Sequence, residues 1–486
     1  MNGIHSARGA LAVAVAVTAL RLATLLAHPL NLSFDEAQYW IWAQTPAWGY
    51  FSKPPLIGWV IALTTHLCGD GEPCIRLGAP LAYAVGSLAL YDVGRRLYGP
   101  VVGFWSAVVF LTLPGVAFSA MIISVDPFLL MFWSLGLAVL VRALAEKRLG
   151  WWGLLGVFLG LGLLAKYAML MFMVSLALYL AWSPGRSLRM AGPWLTMAVA
   201  AVFLAPNLLW NAANGFTTLK HTGANAHWDA GALFHPLAAI AFIGAQGAVF
   251  GPAPLAVLVW LLGHWRRVLA GDENARLLIA FTVPVLALMT GQAFLSRAHA
   301  NWSAPAFVAA TVLVVAWLIR LNKLWLLRAT LAVHLAAALL LYTLDQTAAV
   351  VGYTFTAHSD PFKRVRGFDA VGRAVARLRV DYPGAAMLFD SRKVLAPVVY
   401  YARPMAFDAV LWNDSGTIHN HFEMVTDMRQ AIGHTFLLVT ERPTADHVAY
   451  AFARTELVAV LRAPVHADFT RELRVFRCES FQGHGR

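Results

Sequence analysis

The chain has 486 residues, 59% of them hydrophobic and only 13% charged, with a mean hydropathy of +0.63. No soluble globular protein of this length has that composition, which points to a polytopic α-helical membrane protein. The formal charge of +12 does not indicate nucleic acid, because Lys and Arg sit in short clusters between apolar runs, as positive-inside loops do.

The first apolar run spans about 10–30. Its basic start, MNGIHSARGALAVAVAV, has the character of a signal peptide, but no convincing cleavage site follows, so a retained helix is expected. Next comes NLSFDEAQYWIWAQTPAWGYFSKPPLIGW, residues 31–59, which carries Asp35, Glu36, Lys53, Pro54 and Pro55 among many aromatic residues. Charged groups at that border must face water, a headgroup or each other, since hydrocarbon disfavours them by several kcal/mol. The bland reading is an interfacial aromatic belt with a helix cap. The other reading is a site.

Further runs of spanning length lie at about 74–95, 100–119, 127–145, 150–165, 167–183, 191–210, 236–262, 276–295, 304–321 and 325–344. With the first they make eleven. With the N-terminus and Arg8 in the cytoplasm, the cytoplasmic connections carry Arg95-Arg96, Lys147-Arg148, Arg186 with Arg189, Arg266-Arg267, and Lys323. All are basic, as the positive-inside rule requires. A single span over 150–183 would put the last three clusters outside, so Lys166 and Tyr167 are read as a boundary.

The opposite loops collect Asp35, Glu36 and Lys53; then Ser124 to Pro127 with Asp126; then Lys166; then Asn207 to Asp229 with Lys220, His221 and His227; and SRAHANWSAP at 296–305. A transporter or flippase instead needs polar groups at mid-bilayer. The mid-span candidates Arg21, Gln246 and His334 are scattered, and are read as snorkelling or satisfied by packing. One-sided chemistry favours an enzyme at the outer boundary over a flippase of lipid-linked sugar or a non-catalytic scaffold. After about Asp345 the chain is charged and lacks a spanning run. FDAVGRAVARLR has helical spacing, while AAMLFD and HTFLLVTE read as buried strands. The expected layout is a membrane domain, 1–345, including an outer loop at 31–73, followed by a small extracytoplasmic α/β domain, 346–486. Cys68 and Cys74, in CGDGEPC, are close enough to pair in an oxidising space; with Cys478 they match no zinc pattern.

The pattern Asp-Glu-x-x-Tyr-Trp-x-Trp followed by Gly-Tyr-Phe-x-Lys-Pro-Pro-Leu resembles membrane glycosyltransferases of the GT-C type. The resemblance is to glycosyltransferase family 39, with the lipid A aminoarabinose transferases and the protein O-mannosyltransferases. SVDPFLLMFW at 124–133, GLGLLAKY at 160–167, PNLLWNAANGF at 206–216, HANWSAPAF at 299–307 and DPFKRVRGF at 360–368 are also similar. The resemblance implies a GT-C fold in a bacterial inner membrane, transferring a sugar from a polyprenyl-phosphate carrier to an outer-face acceptor. A lipid A, lipopolysaccharide or other surface glycan acceptor is expected; protein Ser/Thr is the alternative.

Carried over residue by residue, the resemblance makes Asp35 the base for the acceptor hydroxyl and Asp126 the second family acid. A free carboxylate is a weak base, so Asp35 is expected to be partly enclosed by apolar aromatics. Glu36 is either a second base or an arm of the helix cap, with Asp35 or Ser33 as N-cap. Asp126 either contacts substrate or caps the fourth span. Lys53 is the expected cation for the leaving phosphate, with Arg297 and His299 as second contacts. Lys166 either binds phosphate or snorkels. Tyr39, Tyr50, Asn301 and Trp302 complete the expected substrate-binding set, and the loop bearing His221 and His227 reads as a lid or a solvated loop. Some relatives place a Glu immediately before Lys-Pro-Pro; here it is Ser52, which removes a metal ligand. Asp35, Glu36 and His299 remain the candidates for a divalent ion, and no spacing demands one. The sequence names neither the sugar nor the acceptor.

Overall fold

The structure is a computed structural model that describes residues 5–27, 30–183, 189–228, 231, 233–404 and 408–484. Arg186 and Asp229 lie outside the described residues. Each apolar run of the sequence is helical, but several are broken in two. Among the described residues, six helices are long and apolar enough to cross a membrane by length and composition. The other apolar helices are shorter because specific residues end them. Lys166 is extended (φ −159°, ψ 130°) and separates the Leu149–Ala165 helix from Tyr167–Met169 and Leu170–Trp182. The run over 236–262 breaks at Gly251 (φ +94°), followed by Pro252 at a helix start. Only glycine fits there. Its φ is positive, and a Cβ would stand 2.1 Å from His334 Nε2.

Two compact units emerge: residues 1–27, 53–60 and 73–344 in one, and 28–52, 61–72 and 345–486 in the other. In the first, helices approach closely through small residues, as membrane helices do. A Cβ on Gly160 of Leu149–Ala165 would meet Phe203 Cβ of Ala191–Ala213 at 2.5 Å. The polar side chains at mid-run are bonded inside the unit, as expected. Arg21 Nη2 donates to the Leu111 carbonyl (2.5 Å) and its Nε to the Tyr342 hydroxyl (3.2 Å). Ser303 Oγ donates to Gln246 Oε1 (2.6 Å), and His334 Nδ1 lies 3.5 Å from Thr112 Oγ1. The predicted basic pair Arg95-Arg96 meets one acid together with Arg142 of the Asp126–Glu146 helix: Asp92 accepts from Arg95 (2.7 Å), Arg96 (3.1 Å) and Arg142 (2.9 Å).

The second unit holds a five-stranded sheet, β1 (Ala386–Phe389), β2 (Val410–Leu411), β3 (Phe436–Thr440), β4 (Phe452–His466) and β5 (Phe469–Phe481), in the order β2-β1-β3-β5-β4. β1 pairs parallel with β2 and β3, whereas β3–β5 and β4–β5 are antiparallel. The predicted strands AAMLFD and HTFLLVTE are β1 and β3, and the predicted helix is Phe368–Val380. The long β4–β5 hairpin was not legible beforehand: β4 is mostly exposed and lacks a clean two-residue alternation.

The DPFKRVRGF stretch builds this unit. The Asp360 carboxylate has no exposed side-chain surface, and it accepts from Phe362 N–H, Arg366 Nε and His466 Nε2, each at 2.8 Å. Arg471 donates to the carbonyls of Lys363, Arg364 and Arg366, tying β5 to the same turn. Burial alone would raise the Asp360 carboxyl, but the bonds from His466, Phe362 and Arg366 outweigh it and hold it below the ordinary value. A carboxylate lowered on folding contributes stability that is present above its unfolded value and lost as pH falls through the folded one. Thermal unfolding of the full chain in detergent is expected to lose stability below about pH 4, with a flatter acid limb in Asp360→Asn. At neutral pH that variant should be roughly 3 kcal/mol less stable, the scale for breaking a buried ion pair.

Candidate functional site

In the first unit the separate motif stretches converge on one carboxylate. Asp126 opens the Asp126–Glu146 helix, with Pro127 behind it fixing the helix start. It is not the N-cap; Val125 is, and the Asp126 side chain makes no capping bond. Instead Lys166 Nζ lies 2.6 Å from Asp126 Oδ1, and Asn301 Nδ2 lies 2.6 Å from Oδ2. Lys53 adds a favourable charge interaction with the same carboxylate. The predicted residues Lys53, Asp126, Lys166 and Asn301 are therefore one cluster, with two cations around one acid. The Asp126 side chain is 13% exposed, a position where a charge requires a partner. Lys166 is thus neither snorkelling nor unpaired.

The neighbouring residue extends the cluster. The Tyr167 hydroxyl donates to Asn207 Oδ1 (2.7 Å) and accepts from Asn211 Nδ2 (3.2 Å), joining GLGLLAKY to PNLLWNAANGF. The sequence reading did not single out Tyr167, Asn207 and Asn211 as site residues. The available signal was two asparagines in an otherwise apolar helix. The remaining predicted residues of this unit stand in another group. Arg297 Nη2 lies 2.6 Å from His227 Nε2, and Ser296 Oγ donates to the His227 carbonyl (2.7 Å). Gln292 donates to Ala226 O (2.8 Å) and accepts from Trp228 Nε1 (2.9 Å), stitching the 225–228 segment to the helix end. His299 packs edge-on against Trp302 at 5.3 Å.

In the second unit, the Phe34–Gln44 helix presents the acidic pair. Ser33 is its N-cap, in a full capping box: Ser33 Oγ accepts from Glu36 N–H and Glu36 Oε2 accepts from Ser33 N–H at 3.0 Å. Glu36 is buried in that role. Asp35 points elsewhere. Its side chain is half-buried, 50% exposed, and lies 3.2 Å from Arg392 Nη1. The same Arg392 atom donates to Gln38 Oε1 (3.2 Å), and the guanidinium sits 4.8 Å over the Phe34 ring. Sequence reasoning missed Arg392, because a partner more than 350 positions away leaves no local signal.

The aromatic residues of this stretch form a buried scaffold. Trp42 and Tyr50 stack at 4.5 Å and 2°, with His421 edge-on to Trp42 at 5.3 Å. The Tyr50 hydroxyl donates to Trp42 O (3.0 Å) and accepts from Ala47 N–H (3.2 Å). Burial raises that hydroxyl and pushes the His421 imidazole down to about 4, so both are neutral at neutral pH. Tyr39 is also buried, 5.1 Å from Trp42. Trp40 Nε1 donates to Asp70 Oδ1 (2.7 Å), and Cys68 and Cys74 are each disulfide-bonded. Among the described residues, no three His, Cys, Asp or Glu side chains are placed to hold a metal ion.

The Asp126–Lys166 pair makes a measurable prediction. Asp126→Asn and Lys166→Met should each lower thermal stability in detergent, because each leaves its partner uncompensated. The double variant should recover part of the loss, with a coupling of about 1–3 kcal/mol. Additive losses would show that the pair is incidental.

Comparison with known proteins fits these stretches. Residues 52–210 match the family model described as dolichyl-phosphate-mannose-protein mannosyltransferase. The chain is 30% identical over 441 residues, 90% of its own length and 91% of the relative's, to a lipid A galacturonosyltransferase, RgtD, of Rhizobium johnstonii. It is 31% identical over 140 residues, 27% of this chain and 25% of the relative, to an undecaprenyl phosphate-α-4-amino-4-deoxy-L-arabinose arabinosyl transferase of Pseudomonas fluorescens. The fold matches the crystal structure of ArnT from Cupriavidus metallidurans bound to undecaprenyl phosphate, with a TM-score of 0.64 at 16% identity over 96% of this chain and 97% of that one. The chain belongs to the GT-C membrane glycosyltransferase family that includes the lipid A galacturonosyl- and aminoarabinosyltransferases.

Proposed function

We propose that this enzyme transfers a sugar from an undecaprenyl-phosphate carrier to lipid A on the outer face of a bacterial inner membrane, with inversion at the anomeric carbon. The observation that carries the reading is the cluster of Lys53, Lys166 and Asp126, whose net positive charge suits a lipid phosphate. The relative matched over 90% of the chain is a lipid A galacturonosyltransferase, which supports a lipid A acceptor over a protein, and the undecaprenyl phosphate-aminoarabinose transferase supports the carrier.

In this reading Asp35 accepts the acceptor hydroxyl's proton as that oxygen bonds to the anomeric carbon. The bond from the anomeric carbon to the phosphate oxygen breaks on the opposite face, and the carrier leaves as a phosphate monoester. Lys53 is the first cation for that developing charge, and Lys166, tethered by Asp126, is the second. Asp126 keeps Lys166 in place rather than moving a proton. Among the described residues, Arg21 and Gln246 are bonded to neighbours within the unit, which supports the enzyme reading over a flippase.

The topology belongs to the same proposal: eleven spans, N-terminus cytoplasmic, C-terminal unit outside. The disulfide-bonded Cys68 and Cys74 support an oxidising location for the 31–73 loop. A C-terminal alkaline phosphatase fusion should be active and a green fluorescent protein fusion dark; the reverse would overturn the orientation. The direct test incubates purified protein with lipid A and a panel of radiolabelled undecaprenyl-phosphate sugars, including galacturonic acid and aminoarabinose. Wild type should release undecaprenyl phosphate with one of them, and Asp35→Asn should lose about 100-fold or more of that rate. An unchanged rate in Asp35→Asn would remove the base assignment, and no release with any sugar would remove the transferase reading.

A further inference from the structure

Resting on the assignment of Asp35 as base, we infer that Arg392 is a positioning residue for the transfer: it fixes which face of the Asp35 carboxylate meets the acceptor hydroxyl. Three contacts, all within the second unit, hold the guanidinium against the first turn of the Phe34–Gln44 helix. Its Nη1 bridges Asp35 Oδ1 and Gln38 Oε1, both at 3.2 Å, and its plane covers Phe34. Phe34, Asp35 and Gln38 share one side of that turn because residues one turn apart stack in an α-helix. Gln38 is buried and Arg392 is about two-thirds covered, so the clamp is anchored on the protein side and open on the other.

The clamp binds only one carboxylate oxygen. Oδ1 is committed to Arg392, which restricts rotation of the carboxylate and leaves Oδ2 for a hydroxyl. A half-exposed aspartate without such a partner samples several rotamers, and only some of them suit a hydroxyl poised for attack. Arg supplies a planar fork that Lys cannot reproduce. The helix that carries it, Arg392–Tyr401, starts at Ser391, whose side chain accepts from Lys393 N–H, and it packs on the Phe34–Gln44 helix through Tyr400 edge-on to Trp40 at 5.0 Å. Lys393 also lies over Phe34, at 6.0 Å, but it touches neither Asp35 nor Gln38 among the described contacts. The C-terminal unit thereby supplies a group that completes the amino-terminal acidic motif, a role beyond packing.

The test measures undecaprenyl phosphate release with the lipid-linked sugar that wild type consumes, in Arg392→Ala, Arg392→Lys and Arg392→Gln, with Asp35→Asn alongside. A positioning role predicts a kcat reduced about 10–100-fold in Arg392→Ala, with donor KM within about twofold of wild type. Methylguanidinium added to Arg392→Ala should restore part of the rate, and Arg392→Lys should not match wild type. A purely structural role would lower the folded fraction and would not be rescued by the small cation. Wild-type kcat in Arg392→Ala, or a raised donor KM at unchanged kcat, overturns the inference and leaves the Asp35 assignment standing. Full activity in Asp35→Asn instead removes the base assignment itself, so the two failures are separate results.

Discussion

A charge beside hydrocarbon must be matched, and in this protein that demand falls most heavily on Asp126. Its carboxylate opens an apolar helix and is nearly covered. It persists there because Lys166 and Asn301 each meet one oxygen and Lys53 adds its field. Those partners come from three other stretches of chain, so one electrostatic requirement draws four motifs together. The break at Lys166 follows from the same need. An uninterrupted helix over 149–182 would have to bury the lysine or leave the acid unmatched; the extended residue delivers the ammonium to its partner.

The same rule recurs away from that cluster with different consequences. Asp92 gathers three arginines, tying the basic pair Arg95-Arg96 to Arg142 of the Asp126–Glu146 helix. Asp360 gathers a backbone N–H, an arginine and a histidine, and its function is architectural, closing the entry to the C-terminal sheet. Asp35 is the exception among these acids. It is half exposed and has a single guanidinium partner.

The two acids of the DE motif separate along this line. Glu36 is buried, faces the capping box and stabilises the helix that presents its neighbour. Asp35, one residue earlier, points about 100° away around the helix, where Arg392 reaches it. Adjacent acids thus meet different partners, because helical geometry prevents both from facing the same one. Among the aromatic residues of the stretch, Trp42 and Tyr50 stack on each other with His421 edge-on to Trp42, while Trp40 meets Tyr400 and Asp70.

The sequence by itself determined the helical membrane character, the placing of each apolar run, two strands and one helix of the C-terminal unit, and the motif stretches that mark the family. Those properties are written in local composition, periodicity and short spacing, which survive without a partner. Tertiary structure alone decided which candidates stand together. Lys53, Asp126, Lys166 and Asn301 form one cluster, Arg297 bonds to His227, and Glu36 completes a cap. It alone revealed Arg392 beside Asp35 and the β4–β5 hairpin. Contacts between residues far apart in the chain depend on how helices and strands pack, and a side chain's exposure and charge partners are set by that packing rather than by its neighbours in sequence.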